Sequence, residues 1–299
     1  MISKRANVFY LEKAKVVQDG ERVVYWTTDE PEFEKAFNIP DKNTSFVLLG
    51  LGTSITNAAV RKLAESNVII GFCGSGGSPL FGALDLTFMI PQDEYRPTEY
   101  QQSWVRMWSI EEERIRVAKE FLRFRLALVQ EIYREEEILL SIDQVERFQK
   151  GIDRASNETQ LLAEEAIWAK QLYKGFARHH DLPFKREEGK KSRETVEDRI
   201  NSFIDHGNYL AYGYAATTLH ALGISFAMPV LHGKTRRGAL VFDVADLAKD
   251  WLVLPVAFAL GTRGAKDKEF RAAIIDRAFD KELLDKLITF LKNATNNYS

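Results

Sequence analysis

Glu165 is the first residue whose surroundings point to chemistry. Residues 158–180 are rich in helix formers. Leu161, Glu165, Trp168, Leu172 and Phe176 recur there at i, i+4, i+7, i+11 and i+15, so they share one helical face. A carboxylate set in an apolar stripe is costly to bury unless a positive charge compensates it. Either an Arg or Lys side chain or a metal ion would do so. The neighbouring Glu164 falls to the side, nearer Gln171.

The segment VLHGKTRRGALVFDVADLAKD supplies a second group: His232, Asp243 and Asp246. The apolar run GALVF leads into a helix expected to begin at or near Asp243. Asp243 and Asp246 are three apart and share a face of that helix. An acidic N-cap followed by an acid in the first turn would account for the pair without any chemistry. A histidine shortly upstream adds a second meaning. Carboxylates with one imidazole form an oxygen-rich mixed ligand set, suited to Mg²⁺ or Mn²⁺. His179, His180, His206 and His220 have no comparable acidic neighbourhood and read as surface or core residues.

Basic side chains accompany these acids. Lys170, Lys174 and Arg178 repeat at i, i+4 and i+8 on the side of their helix away from the apolar stripe. Lys234, Arg236 and Arg237 follow His232, and Lys185, Arg186, Lys190, Lys191 and Arg193 crowd a charged stretch. Each group alone is a solvated face; together, beside the acids, they suggest a phosphate-binding surface. Gly74, Gly76 and Gly77 follow a strand as a phosphate loop would. They lack a Gly-Lys-Ser/Thr ending and the dinucleotide spacing, so they read as a turn.

These residues need elements to position them. At 299 residues the chain has room for two ordinary domains or one large one. With 45% apolar and 28% charged residues, it has the mix of a soluble globular protein with a core of normal size. The formal net charge of −2 excludes a surface coated with basic residues, although a local basic groove suffices for phosphate contacts. No stretch approaches the apolar length of a membrane span, and no apolar core follows the early positive charges as in a signal peptide. Cys73 is the only cysteine, which excludes an intrachain disulfide and a cysteine zinc cage. The cytoplasm is the expected compartment.

The texture of the sequence changes near Pro91. Before it, NVFYLE, AKVVQ, RVVYWT, TSFVLLG and NVIIGFC read as strands, with Asp19-Gly20 as a hairpin turn. ALDLTFMI is a further candidate strand. A short helix from Thr53 or Ser54 through AAVRKLAES is expected between the fourth and fifth. After Pro91, helices are expected from Thr98 to about Leu140 and over 158–180, 206–222, 243–254 and 267–293. The charged, apolar-poor stretch 181–199 reads as a loop. The expected class is α+β, with a β-rich domain over residues 1–92 and a larger all-helical domain over 93–299.

At this point the residues resemble a known family. EEAIWAKQLYK, DHGNYLAYGYAATTLHALGI and HGKTRRGALVFDVADLAKD, in that order, resemble the three active-site motifs of the CRISPR-associated adaptation integrase, the subunit that inserts new spacers. LLGLGTSIT, VIIGFCGSGGSPLF and PQDEYRPTEYQ resemble its subtype I-F branch. The resemblance covers nearly the whole chain, and the motifs are specific in combination.

The resemblance implies that the motif glutamate is Glu165, because Tyr173 stands eight positions later. It implies that Glu165, His232 and Asp246 ligate a divalent ion and that Asp243 supports the site. It also implies an N-terminal β-sandwich-like domain that dimerises, an all-α catalytic domain, and a second adaptation subunit fused to a helicase–nuclease. The implied reaction is phosphodiester transesterification. A 3′-hydroxyl of spacer-precursor DNA attacks the edge of a CRISPR repeat; with water instead, the same site is a nuclease. His232 can serve as ligand or as proton carrier, and Lys234 with the nearby arginines as phosphate contacts. Two other classes fit parts of the pattern. A non-catalytic DNA-binding scaffold of a nucleoprotein complex would have Glu165 salt-bridged and the aspartates capping a helix. A hydrolase of small phosphorylated molecules would need a closed pocket instead of an open basic groove.

Overall fold

Alternating apolar strands broken by turn residues build the N-terminal part of the chain, as seen in a computed structural model. It describes residues 7–27, 36–74, 87–89, 98–189, 194–233 and 238–295. The chain divides into two compact units, Met1–Arg96 and Pro97–Ser299.

In the first unit β1 spans Asn7–Leu11, β2 Ala14–Asp19 and β3 Arg22–Thr27. β2 and β3 pair antiparallel, with Asp19 opposite Arg22, so Gly20 and Glu21 form the loop. Gly20 adopts φ +57°, the left-handed region that such a loop favours. β4 is Phe37–Ile39, β5 Thr44–Leu49 and β6 Ser54–Ile55. α1 is Asn57–Glu65, β7 Ile69–Phe72 and β8 Thr87–Met89. One sheet runs β1-β5-β7-β8 and the other β4-β3-β2-β6. β5 pairs parallel with β1 and β7, and α1 makes the crossover between β5 and β7. All of β5 is buried, as a strand covered on both faces must be. Val16 and Val23 of one sheet, Val47, Leu49 and Ile70 of the other, and Leu63 of α1 share one apolar cluster. This is the strand-rich, sandwich-like arrangement that the sequence suggested.

The helix start differs from expectation. The N-cap is Thr56, whose hydroxyl accepts the Ala59 N–H at 3.3 Å. Thr53 instead donates its hydroxyl to the Leu11 carbonyl at 3.0 Å, and Ser54 pairs within β6. Sheet hydrogen bonds claim these residues before the helix begins. Gly76 and Gly77 lie outside the described residues.

The second unit is helical: α2 Glu99–Trp108, α3 Glu111–Glu135, α4 Ile142–Arg154, α5 Glu158–His179 and α6 Val196–Ala221. α7 Ala239–Leu252, α8 Leu254–Thr262, α9 Asp267–Asp280 and α10 Leu283–Thr295 follow. The long helix expected from Thr98 is two. Ile110 is extended between them, and Glu111, Glu112 and Glu113 suit a new N-terminus. The helix expected over 267–293 is also two, divided where Glu282 takes φ +52°. α4 had not been expected. α6 starts ten residues early, at a capping box of Thr195 and Asp198. The charged stretch before it is tied to α6 by Arg186, which pairs with Asp205 and donates to Asn201 Oδ1 at 3.1 Å.

α7 is the element that matters most for the site. Twelve of its fourteen residues are buried, including Asp243, Asp246 and Asp250. It begins at Ala239, after Gly238 at φ +69°, and not at Asp243 as expected. Asp243 therefore sits inside the helix and cannot be its N-cap. Among the described residues no helix is long and apolar enough to cross a membrane.

Candidate metal centre

Three elements bring the candidate ligands together. α5 carries Glu165, α7 carries Asp246, and the segment before α7 carries His232. One ligand atom from each lies within 4.8 Å of the other two. Glu165 and Asp246 keep 12% of their side-chain surface and His232 keeps 24%, so the cluster remains open to solvent.

Asp243 stands behind this cluster. One of its oxygens accepts the N–H groups of Val230 at 2.6 Å and Leu231 at 3.1 Å. The other accepts the His232 N–H at 2.9 Å and faces His232 Nδ1 at 2.7 Å. A carboxylate can only accept, so it holds the proton on Nδ1. In the neutral ring Nε2 is then a lone pair, 3.6 Å from Asp246 Oδ2. This carboxylate–imidazole relay is the arrangement that orients histidine as a metal ligand.

The acids also have cationic neighbours. Arg125 of α3 forms an ion pair with Glu165, and Lys249 forms one with Asp246. The salt bridge that the spacing of Glu165 allowed is therefore present, yet Glu165 still contributes an atom to the cluster. Burial pushes the Glu165 carboxyl up; Arg125 opposes this and the Asp246 charge adds to it. Asp246 lies lower than usual, because Lys249 and Arg125 outweigh its burial. Burial would lower His232, but its hydrogen bond to Asp243 and the Asp246 charge raise it. Burial raises Asp243 against the pull of the His232 ring.

The donor set fits a divalent ion. Glu165, Asp243, Asp246 and Asp250 face two fixed cations, Arg125 and Lys249. With Nε2 deprotonated, as a ligand must be, two negative charges remain in excess, which is what one divalent cation neutralises. Two carboxylates and an imidazole are the chemistry of Mg²⁺ or Mn²⁺.

The other candidates divide. Lys170, Lys174 and Arg178 are exposed, at roughly 140–220° around α5 from Glu165. None has an ion-pair partner among the described residues. Lys234, Arg236 and Arg237 lie outside the described residues. Glu164 points towards α4, where Arg147 is 3.5 Å away. Sequence reasoning missed Arg125, Lys249 and Asp250. Arg125 had a usable signal, since it lies four residues from both Phe121 and Val129 in the buried stripe of α3. Lys249 and Asp250 follow Asp246 by one helical turn.

A strand-rich unit followed by a helical unit with a carboxylate–imidazole cluster defines a two-part α+β protein with a candidate metal site. The chain belongs to the family of the CRISPR associated protein Cas1, whose model matches residues 9–292. It is 45% identical to the CRISPR-associated endonuclease Cas1 of Pseudomonas aeruginosa (strain UCBPP-PA14), across 97% of this chain and 93% of that protein. It is 41% identical to the protein of that name from Pectobacterium atrosepticum, across 99% and 94%. Both matches fit the subtype I-F resemblance. Among solved structures, a casposase bound to integration product shares the fold at TM-score 0.76 and 14% identity, covering 97% of this chain and 91% of that one. A TtCas1–DNA complex does so at TM-score 0.70 and 21% identity, covering 97% and 92%. A Cas6-RT-Cas1–Cas2 complex does so at TM-score 0.67 and 14% identity, covering 98% of this chain and 35% of that one.

Proposed function

We propose that this chain is a divalent-metal-dependent DNA endonuclease and integrase that inserts new spacer DNA at CRISPR repeats by phosphodiester transesterification. The observation that carries the reading is the convergence of Glu165, His232 and Asp246 within 4.8 Å, from three separate elements. Membership of the family, and the endonuclease names of the two close relatives, support it.

Glu165, His232 Nε2 and Asp246 would hold the Mg²⁺ or Mn²⁺, with Asp243 fixing the imidazole. The bound ion supplies Lewis acidity towards the phosphoryl oxygens. Because Nδ1–H is committed to Asp243 and Nε2 faces Asp246, the geometry favours His232 as ligand over proton carrier. Lys170, Lys174 and Arg178 would hold DNA backbone, and Lys234, Arg236 and Arg237 would contact phosphates next to His232. A 3′-hydroxyl of the spacer precursor attacks the phosphorus at the repeat edge, losing its proton as the new P–O bond forms. The bond to the flanking strand's 3′-oxygen breaks, and that oxygen leaves as a 3′-hydroxyl after taking up a proton. Water in place of the attacking hydroxyl gives cleavage. Residues 1–92 form the proposed homodimer interface, and 93–299 the catalytic domain. The proposed partner is a second adaptation subunit fused to a helicase–nuclease.

One observation favours a second reading. Glu165 and Asp246 each have an ionic partner, as a non-catalytic DNA-binding scaffold would require. That reading leaves one net negative charge buried at the cluster even with His232 protonated, and it forecasts no metal binding. Mn²⁺ titration calorimetry, with a strand-transfer assay on repeat DNA, separates the two. Wild-type protein is expected to bind Mn²⁺ and join DNA ends, and Asp246→Ala to lose both while staying folded. A folded Asp246→Ala protein that joins ends at the wild-type rate sinks the assignment.

A further inference from the structure

One buried guanidinium ties together the three helices that surround the metal centre. Arg125 of α3 is only 4% exposed. Its Nε and Nη2 donate to the two oxygens of Asp250 on α7, at 2.6 and 2.8 Å. Its Nη1 donates to Glu165 on α5. Asp250 in turn accepts the indole N–H of Trp168, one turn beyond Glu165 on α5, at 2.8 Å. The Asp250 carbonyl accepts the Tyr133 hydroxyl of α3 at 2.8 Å. Asp250 is itself one turn beyond Asp246 on α7.

Of the two helices that bring carboxylate ligands, α5 is thus held at its ligand and one turn away, and α7 one turn from its ligand. The planar fork of arginine suits this, because it serves two carboxylates in fixed directions where an ammonium cannot. Nothing in the chemistry of the centre needs Arg125 or Asp250 to touch an ion or DNA. We infer that Arg125 and Asp250 form a positioning clamp that sets the spacing of Glu165 and Asp246 for a divalent ion. This inference rests on the metal-dependent reading above.

The test compares wild-type protein with Arg125→Met/Asp250→Asn. The double variant removes one charge of each sign, so the net charge of the centre is kept. Its Asn still offers Trp168 an acceptor, and of the buried charges only the Glu165 carboxylate loses its ionic partner, a role the bound ion takes over. Mn²⁺ affinity is expected to fall by about 10–100-fold, the range typical of groups that orient ligands. Strand transfer is expected to recover as Mn²⁺ is raised, with the melting temperature close to wild type. Arg125→Lys keeps the charge but not the fork, and is expected to show the same weakened affinity. It decides the matter if the double variant does not fold. A folded variant that binds Mn²⁺ within about twofold of wild type overturns the clamp and leaves the metal reading intact. Lost activity that no Mn²⁺ concentration restores also overturns it. Wild-type protein that binds no Mn²⁺ overturns the metal reading, and the clamp with it.

Discussion

Asp243 commits both of its oxygens to neighbouring donors: three backbone N–H groups and the His232 ring. Asp243→Asn would turn an amide NH₂ against one pair of them. Facing His232, it would move the ring proton from Nδ1 to Nε2 and remove the lone pair a metal needs. Facing Val230 and Leu231, it would leave buried N–H groups unpaired, costing about 1–3 kcal/mol. The expected result is a Mn²⁺ affinity about 10–100-fold weaker, measured by calorimetry. Wild-type affinity in this variant would show that Asp243 does not set the tautomer. The raised values of Glu165 and His232 give a second expectation. Both hold protons at higher pH than free side chains do, and both must release them to ligate. Mn²⁺ affinity should therefore rise with pH through the acidic to neutral range, with proton release visible as buffer-dependent heat. Affinity that is flat with pH would contradict this. The ligand candidates were legible from residue type and spacing, because an acid in an apolar stripe and a His upstream of Asp-x-x-Asp are local signals. The supporting role of Asp243 came from the family resemblance alone; spacing left the helix-cap reading open, because that role depends on a helix start four residues earlier. Arg125 and Asp250 pair across 125 positions, which no local pattern shows.

Among the elements, α6 packs so closely on α8 and on the α7–α8 junction that glycines are required. A Cβ at Gly207 of α6 would collide with Val253 Cγ1 and come within 3.2 Å of Phe270. One at Gly261 of α8 would collide with Ile200 of α6. Gly207→Ala is expected to destabilise the fold by about 1–3 kcal/mol through overpacking, read from denaturant unfolding. The folded fraction should keep its metal affinity, since Gly207 touches no ligand; unchanged stability would mean that these helices can move apart. The longer strands of the first unit were legible because turn residues punctuate them, whereas β4 and β6, three and two residues long, were not expected. The helical boundaries were less so. Ile110 and Glu282 interrupt runs of good helix formers without a Gly or Pro to mark the break. The start of α6 falls in the charged stretch that reads as a loop, although Thr195 and Asp198, three apart, are a capping pattern the sequence itself carries.

On the scale of the whole molecule, the net charge of −2 means that any attraction for DNA must come from where the cations lie. Lys170, Lys174 and Arg178 form an exposed row on α5 with no anionic partner among the described residues. They face away from Glu165, so they suit backbone held beyond the reacting phosphate. If each neutralises one phosphate, binding should weaken with salt at a slope of about −0.9 per contact in duplex DNA. Lys170→Ala/Lys174→Ala/Arg178→Ala should then flatten the plot of log affinity against log salt by roughly 2–3. Affinity should fall about equally for repeat and unrelated sequences, because phosphate contacts carry no base information. Mn²⁺ affinity should stay at the wild-type value, since the row is on the far side of the helix from the ligands. An unchanged salt slope in the triple variant would remove this row from the DNA-binding surface and shift the burden to Lys234, Arg236 and Arg237. A changed Mn²⁺ affinity would instead mean that the row and the centre are coupled through α5.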